Sequence, residues 1–370
     1  MILSPVNKDN AKKLNSIQAM RGIAALLVML FHFRVYFNLP FYDFGNVLFS
    51  SGEIGVTIFF MISGFIMEHT HRKSGKNEAI SFAIKRIVRI YPLYFISTIL
   101  WILIINIFDN ESVDISFSNV VKSLLFYPLS NNGAPHFGYS TLYVGWTLNY
   151  EMIFYFTFFI SVFFQKIRSI ILYSIWLSSL TILPFLATGK ISITPSVDYE
   201  FSINYVQLIS NPIVLNFIIG VTIAKVLNKK TINFSKELSI TLIIMTSTFC
   251  WWQYINNVNP GTGIGQWGIG IAVLLFLLIN HEISFSMKVP SFLVHLGRIS
   301  FSLYLLHSIV QLLIESIFIK VGVVHYALGL QMGILCIVTS LIFSHISQKT
   351  IESLLSNKIN DFIFHVLKLK

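Results

Sequence analysis

Residues 16–33 read SIQAMRGIAALLVMLFHF, and this run decides the fold. It is close to the length of a transmembrane helix, which needs about 20 mostly apolar residues. The whole chain has the same character, because 55% of its residues are hydrophobic, 15% are aromatic and only 11% are charged. Its mean hydropathy is +0.72. Since soluble domains carry about 25% charged residues, the composition predicts an integral membrane protein.

Similar apolar runs recur along the chain. They predict an all-α integral membrane protein with about ten transmembrane helices in a single membrane domain. The predicted spans are 17–37, 54–68, 91–108, 142–164, 169–187, 211–227, 238–256, 267–280, 300–319 and 327–347. The eighth span is short for a membrane helix. Segment 116–130, in the long loop 109–141, is predicted to form a re-entrant or surface helix.

Basic residues orient these spans, since cytoplasmic loops carry an excess of Lys and Arg. Most of the 26 Lys and Arg residues fall in segments that are inside if both termini are cytoplasmic. The basic residues left outside are Arg34, Lys122, Lys190 and Lys320. The chain is therefore predicted to be a multi-pass protein of the inner (cytoplasmic) cell membrane, in contact with membrane lipid. This topology accounts for the net charge of +10, so no nucleic-acid partner is expected.

The first span carries two ionisable residues, Arg21 and His32. They are eleven residues apart, so they share one helix face about 16 Å apart along the axis. Arg21 suits an interfacial anchor whose charge reaches the membrane surface. His32 suits either a structural hydrogen-bonding role or proton transfer from an attacking hydroxyl.

A second basic group precedes the third span. Arg86 and Arg89 are three residues apart and share a face if the segment is helical. Pro92 predicts a helix start close by, and two guanidiniums at a helix start suit phosphate oxygens. A stop-transfer cluster that grips anionic lipid headgroups explains the same charges.

A carboxylate is expected inside the fourth span, where residues 145–151 read GWTLNYE. Glu151 lies about 13 Å below the span's outer edge, so it must become protonated or find a partner. A structural ion pair satisfies this requirement, and so does a functional role in which the carboxylate orients a histidine. Asn149 and Tyr150 are predicted to line the same region.

The ninth span has one polar face. Ser300, Tyr304 and His307 stand at positions i, i+4 and i+7, which suits hydrogen bonds between packed helices or the lining of a cavity. Residues 52–65, by contrast, mix small residues with large aromatics. That pattern predicts close helix packing. Cys250 and Cys336 lie in apolar runs, and neither a disulfide nor a metal site is expected.

In chain order, these stretches resemble the acyltransferase 3 family of membrane-embedded O-acyltransferases. The similar blocks are 18–32, 55–65, 86–92, 145–151 and 300–307. Two details resemble the branch that acetylates exopolysaccharides such as succinoglycan. These are the Ser-Ile-Gln opening at 16–18 and the GWTLNYEM run at 145–152. Lys85 and Phe301 depart from residues common in the family.

The resemblance implies an enzyme that moves an acyl group from cytoplasmic acyl-CoA to a carbohydrate. Acetyl-CoA is the expected donor, and a saccharide or lipid-linked saccharide is the expected acceptor. Polysaccharide-assembly proteins are candidate partners. Few residues follow the tenth span, so no C-terminal SGNH-type hydrolase domain is expected. Two other functions stay open on the residues alone: a transporter or flippase of a lipid-linked saccharide, and a non-catalytic sensor or scaffold.

The predicted site residues fall into three groups. The catalytic candidates are His32 and Glu151. The candidates for binding the donor's phosphates are Arg21, Arg86 and Arg89. The candidates for binding the acceptor are Asn149, Tyr150, Ser300, Tyr304 and His307.

Overall fold

A computed structural model describes residues 3–5, 14–71, 75–108, 115–164, 166–323 and 329–367. The beginning of the tenth predicted span, at 327–328, lies outside the described residues. So does the beginning of the long loop, at 109–114. The side of the membrane that each terminus faces stays a prediction.

The described chain is almost entirely helical. The helices are α1 (Asn15–Phe33), α2 (Phe44–Phe49), α3 (Ile54–Thr70), α4 (Lys76–Ile107), α5 (Phe117–Leu124), α6 (Trp146–Phe163), α7 (Arg168–Leu177), α8 (Leu183–Thr188), α9 (Asn204–Ile209), α10 (Leu215–Lys229), α11 (Lys236–Ile255), α12 (Ile269–Phe285), α13 (Ser291–Val321), α14 (Leu330–Ser347) and α15 (Ser356–Val366). Two short strands, β1 (Leu3–Pro5) and β2 (Lys230–Ile232), pair antiparallel. Within the described ranges, nine helical segments are long and apolar enough to cross a membrane. The prediction of an all-α membrane protein is confirmed.

The third predicted span, 91–108, began too late. Helix α4 starts at Lys76 and runs for 32 residues with Pro92 in its interior, so the prediction of a helix start at Pro92 was wrong. Proline is tolerated inside membrane helices because neighbouring groups satisfy the backbone carbonyl that it leaves free. Arg86 and Arg89 therefore lie three turns into a continuous helix, and the predicted phosphate site at a helix start is not formed.

Two other predicted spans were shorter than the helices that the structure shows. Helix α13 begins at Ser291, well before the predicted start at 300. The last helical segment continues through a π-helical turn to Val366, beyond the predicted end at 347. Polar and charged residues at these ends lower the local hydropathy, but they do not interrupt the helix. The eighth span, predicted to be short, is a 22-residue helical segment from Ile264 to Phe285. Helix α5 confirms a short helix in segment 116–130.

Helix α6 corresponds to the fourth predicted span. It is 18 residues long and carries Asn149, Tyr150 and Glu151 in its first turns. Because of these polar residues, α6 is not among the nine helical segments that are apolar enough to cross a membrane. Eleven of its residues are buried, so α6 lies inside the helix bundle, which is where polar residues at membrane depth are expected.

Glycines set the closest helix crossings. A Cβ atom on Gly297 of α13 would lie 2.0 Å from the carbonyl oxygen of Gln18 on α1, and Gly22 faces the same crossing. The crossing of α3 and α10 is equally tight, because a Cβ on Gly64 would lie 2.1 Å from the carbonyl oxygen of Phe217. The close packing predicted for residues 52–65 is confirmed. The α1–α13 contact also holds the face bearing Arg21 and His32 against α13.

Candidate active site

The arginines at the N-terminal end of α1 and the middle of α4 share one cavity. This arginine cavity, of about 70 Å³, is lined by Arg21, Arg86, Arg89, Glu151 and Tyr155 together with apolar residues of α3 and α13. Among the described residues, none of the three arginines forms an ion pair with a carboxylate. A narrow cavity with three guanidiniums suits a polyanionic ligand that can accept several charge-assisted hydrogen bonds.

Two carboxylates lie near these arginines, Glu151 in the cavity lining and Glu352 close by. Glu352, on the π-helical turn Gln348–Leu355, acts electrostatically on Arg21 and Arg89. Its carboxylate accepts hydrogen bonds from the backbone N–H of Ser302, at 2.9 Å, and from the Ser302 hydroxyl. These bonds hold the Glu352 carboxylate against α13.

Glu151 lies with the arginines and not beside His32. Its Oε1 atom accepts hydrogen bonds from the Tyr155 hydroxyl, one turn further along α6, and from Ser63 at 3.4 Å. The predicted contact in which Glu151 orients His32 is therefore not formed. The reason is the packing of α6, which turns this face toward α3 and α4.

His32 lines a second, roomier cavity of about 510 Å³. In this histidine cavity the side chains come from α1, from the start of α3 with the preceding Glu53, and from Tyr304 of α13. The rest come from three segments, 135–146, 195–196 and 261–266. The loops contribute aromatic rings, hydroxyls and the Gln266 amide. Aromatic faces beside a few convergent polar groups are typical of a site for a small or medium-sized polar ligand.

An imidazole and a phenol lie next to His32, near the C-terminal end of α1. The His32 ring centroid lies 5.1 Å from that of His307 and 5.2 Å from that of Tyr143. His307 is fully buried, and its Nδ1 atom lies 2.9 Å from the Leu303 carbonyl oxygen. His307 lines neither cavity, so it lies behind His32.

The two cavities meet at a shared wall. Val56 and Tyr304 line both of them. The Tyr304 hydroxyl donates to the Val144 carbonyl oxygen at 2.9 Å and lies 2.8 Å from the Thr147 hydroxyl. These bonds fix Tyr304 in place at the boundary. The structure thus joins the arginines and the histidine of the predicted site through adjacent spaces.

Several residues of the histidine cavity were missed at the sequence level. His136 stacks on Tyr139 and meets the edge of Trp146, each with ring centroids 4.5 Å apart. Burial in this loop lowers the pKa of His136 from its ordinary 6.5 to about 4, so its imidazole is neutral at physiological pH. Trp146 stands within the quoted GWTLNYE block. Nothing in the sequence pairs that block with His136.

Four of the predicted acceptor-binding residues lie outside both cavities. Ser300, fully buried, donates its hydroxyl to the Gly297 carbonyl oxygen, and His307 is buried behind His32. Asn149 faces a separate and largely apolar cavity. Tyr150 donates to the Pro135 carbonyl oxygen at 2.8 Å, which anchors the loop carrying His136. These four side chains build the walls, and Tyr304 alone of the predicted group lines the cavities.

No metal-binding cluster is found in the part of the chain that the structure describes. There, no three or more side chains of His, Cys, Asp or Glu gather closely enough to hold an ion.

Comparison with known proteins identifies the family of the chain. The sequence profile of the acyltransferase 3 family, described as an acyltransferase domain, matches residues 14–346. The chain belongs to this family. It is also similar to the exopolysaccharide production protein ExoZ of Rhizobium meliloti (strain 1021), with 32% identity over 120 residues. That match covers 32% of this chain and only 37% of the length of ExoZ. No solved structure matches the chain.

Proposed function

We propose that this protein is an O-acetyltransferase of the inner cell membrane. It transfers an acetyl group from cytoplasmic acetyl-CoA to a hydroxyl group of an exported polysaccharide or its lipid-linked precursor. One observation carries the proposal: a cavity with three arginines and a cavity with a histidine share the wall formed by Val56 and Tyr304. Membership in the acyltransferase 3 family supplies the reaction class.

The arginine cavity is the donor site in this proposal. Arg21, Arg86 and Arg89 bind phosphate oxygens of the donor, for which planar guanidiniums are well suited. The cavity, at about 70 Å³, is smaller than the pockets of about 300–1,000 Å³ that enclose drug-sized ligands. We therefore expect the adenosine to stay outside the cavity, with the phosphates against the arginines and the thioester arm inside.

The thioester reaches His32 past the shared wall. His32 removes the proton from the acceptor hydroxyl while the hydroxyl oxygen attacks the acetyl carbon. The carbon–sulfur bond breaks, and the proton then passes to the departing thiolate. In a second route, His32 attacks the acetyl carbon first, the carbon–sulfur bond breaks, and the thiolate leaves with the ring proton of His32. The acceptor hydroxyl then attacks the acetyl-imidazole, the nitrogen–carbon bond breaks, and the hydroxyl proton passes to the imidazole. Both routes need one unprotonated His32 nitrogen that faces the histidine cavity.

The histidine cavity is the acceptor site. Rings of Tyr139, Tyr143 and Trp146 offer flat apolar surfaces, while Glu53 and Gln266 offer hydrogen-bonding groups. This combination matches a sugar, which has apolar C–H faces and a rim of hydroxyls. The name of ExoZ, an exopolysaccharide production protein, points to the same class of acceptor. At about 510 Å³ the cavity has room for a sugar unit.

The proposal is tested on the polysaccharide itself. Surface polysaccharide from cells with the gene, without it, and with the His32→Ala variant is analysed by mass spectrometry for O-acetyl groups. We expect acetylation only with the wild-type gene, and a matched His345→Ala variant should also restore it. Purified protein in liposomes with labelled acetyl-CoA adds a second readout. Transport of unmodified saccharide without covalent label, or full acetylation by His32→Ala protein, would contradict the proposal.

A further inference from the structure

The neighbour of His32 on α13 has a fixed protonation pattern. The Nδ1 atom of His307 lies 2.9 Å from the Leu303 carbonyl oxygen, and a carbonyl can only accept a hydrogen bond. Nδ1 therefore carries the proton, and in the neutral ring Nε2 carries the lone pair. A backbone contact that fixes one nitrogen also decides the role of the other.

That second nitrogen is buried without a hydrogen-bond partner. His307 is 0% exposed, and its Nε2 atom has no donor within hydrogen-bonding distance among the described residues. Buried polar atoms are nearly always paired, so an unpaired one calls for an explanation. Side chains of Phe33 and Tyr304 pack around the same ring. These neighbours hold the imidazole in position.

The partner within reach is His32. The two ring centroids are 5.1 Å apart with a tilt of 33°. This separation leaves space between the ring edges for one N–H···N hydrogen bond of about 2.9 Å. A small rotation of the His32 side chain, which is only partly buried, would bring its ring N–H to the lone pair of His307.

We propose that His307 is the positioning residue for His32. Its Nε2 lone pair accepts the N–H of His32, so that the other nitrogen of His32 presents its lone pair to the histidine cavity. A triad carboxylate orients its histidine in a comparable way, but here the acceptor is a neutral imidazole that adds no charge to the bundle. This inference rests on the proposed function, because it assigns the tautomer that proton transfer or acetyl transfer at His32 requires.

Two amide variants separate the positioning role from simple packing. In His307→Gln the side-chain oxygen can reach the place of Nε2 and accept from His32. In His307→Asn the amide can still donate to the Leu303 carbonyl, but it is too short to reach His32. We expect kcat to fall at least about 100-fold in His307→Asn, the lower range for proton-transfer catalysis, and less than about 10-fold in His307→Gln. The KM values for acetyl-CoA and acceptor should stay close to wild type in both variants.

A second readout needs no acyl acceptor. Diethyl pyrocarbonate modifies neutral imidazole nitrogens, and mass spectrometry of the peptide carrying His32 gives its rate of modification. We expect a several-fold lower rate in His307→Asn and a nearly normal rate in His307→Gln. The control pair is His295 and His345, whose rings are also 5.1 Å apart but which line neither cavity. The His345→Asn variant should leave the modification of His32 unchanged.

A third measurement uses the unaltered protein. In liposomes containing ¹⁵N-histidine-labelled protein, a hydrogen bond between the two rings produces a nitrogen–nitrogen coupling that is lost in His32→Ala. Absence of this coupling, or equal behaviour of the Asn and Gln variants in the other two assays, would overturn the assignment. If the wild-type protein transferred no acetyl group, the proposed function would fail. The modification and coupling experiments would still decide the role of His307.

Discussion

Replacing Val56 with phenylalanine tests whether the two cavities act as one passage. Val56 is only 6% exposed and lines both cavities beside Tyr304. The substitution adds four carbon atoms at the edge of a space of about 70 Å³ and changes no charged or hydrogen-bonding group. If the thioester must pass this point to reach His32, its acetyl carbon will be held away from the imidazole.

The expected effect is on kcat. A misplacement of about 1 Å can cost about 100-fold in rate, so a blocked passage should lower kcat by at least that factor. The KM for acetyl-CoA should change less than about threefold, because the arginines are untouched. Overpacking of a buried site costs about 1–3 kcal/mol, which a folded membrane protein can tolerate.

The assay is acetyl transfer by purified protein in liposomes, with the amount of folded protein measured by gel filtration and thermal unfolding. Val338→Phe, on the exposed side of α14, is the matched control and should retain full activity. Val56→Ala, which widens the passage, should also remain active. A folded Val56→Phe protein that transfers acetyl at the wild-type rate would refute the passage.

Three further predictions address the donor site, the helix crossing and the pH response. Replacing Arg86 and Arg89 together with alanine should raise the KM for acetyl-CoA at least tenfold, since hydrogen bonds to charged groups contribute about 1.5–3 kcal/mol each; an unchanged KM would argue against phosphate binding. Gly297→Ala places a Cβ atom 2.0 Å from a carbonyl oxygen of α1, so the helices must move apart. We expect a lower kcat in steady-state kinetics and a lower unfolding temperature. Wild-type values of both would contradict the close crossing of α1 and α13. The pKa of His136 is about 4 in the folded loop and about 6.5 when exposed, so the unfolded chain binds more protons between these values and stability should fall as pH drops from about 6.5 to about 4. His136→Gln should reduce that fall, and an identical pH profile of the unfolding temperature would exclude the effect.

The sequence predicts the helices because a long apolar run in lipid must satisfy its backbone hydrogen bonds within itself, which a helix does. Residues 16–33 form one helix, and the spacing of Arg21 and His32 places both on the side of α1 that faces the cavities. Pro92 shows where this reasoning fails. A rule drawn from soluble helices put a helix start near that residue, but in a bundle the unsatisfied backbone carbonyl finds other partners.

The site was harder to predict, because it depends on which helices face each other. Arg21, Arg86 and Arg89 come together because α1 and α4 both pack against α13, and their common charge suggested a shared ligand. Glu151 was expected near His32, but the orientation of α6 within the bundle is a tertiary property that spacing along one helix does not contain. The same holds for His136, which reaches the site through a loop.

A cryo-EM structure of the protein with a non-hydrolysable thioether analogue of acetyl-CoA would show directly whether the donor spans both cavities. We expect the phosphates to contact Arg21, Arg86 and Arg89. The arm should pass Val56 and Tyr304 and bring the acetyl carbon within reach of His32. An analogue bound with its acyl end in lipid, or bound away from the arginines, would contradict this expectation.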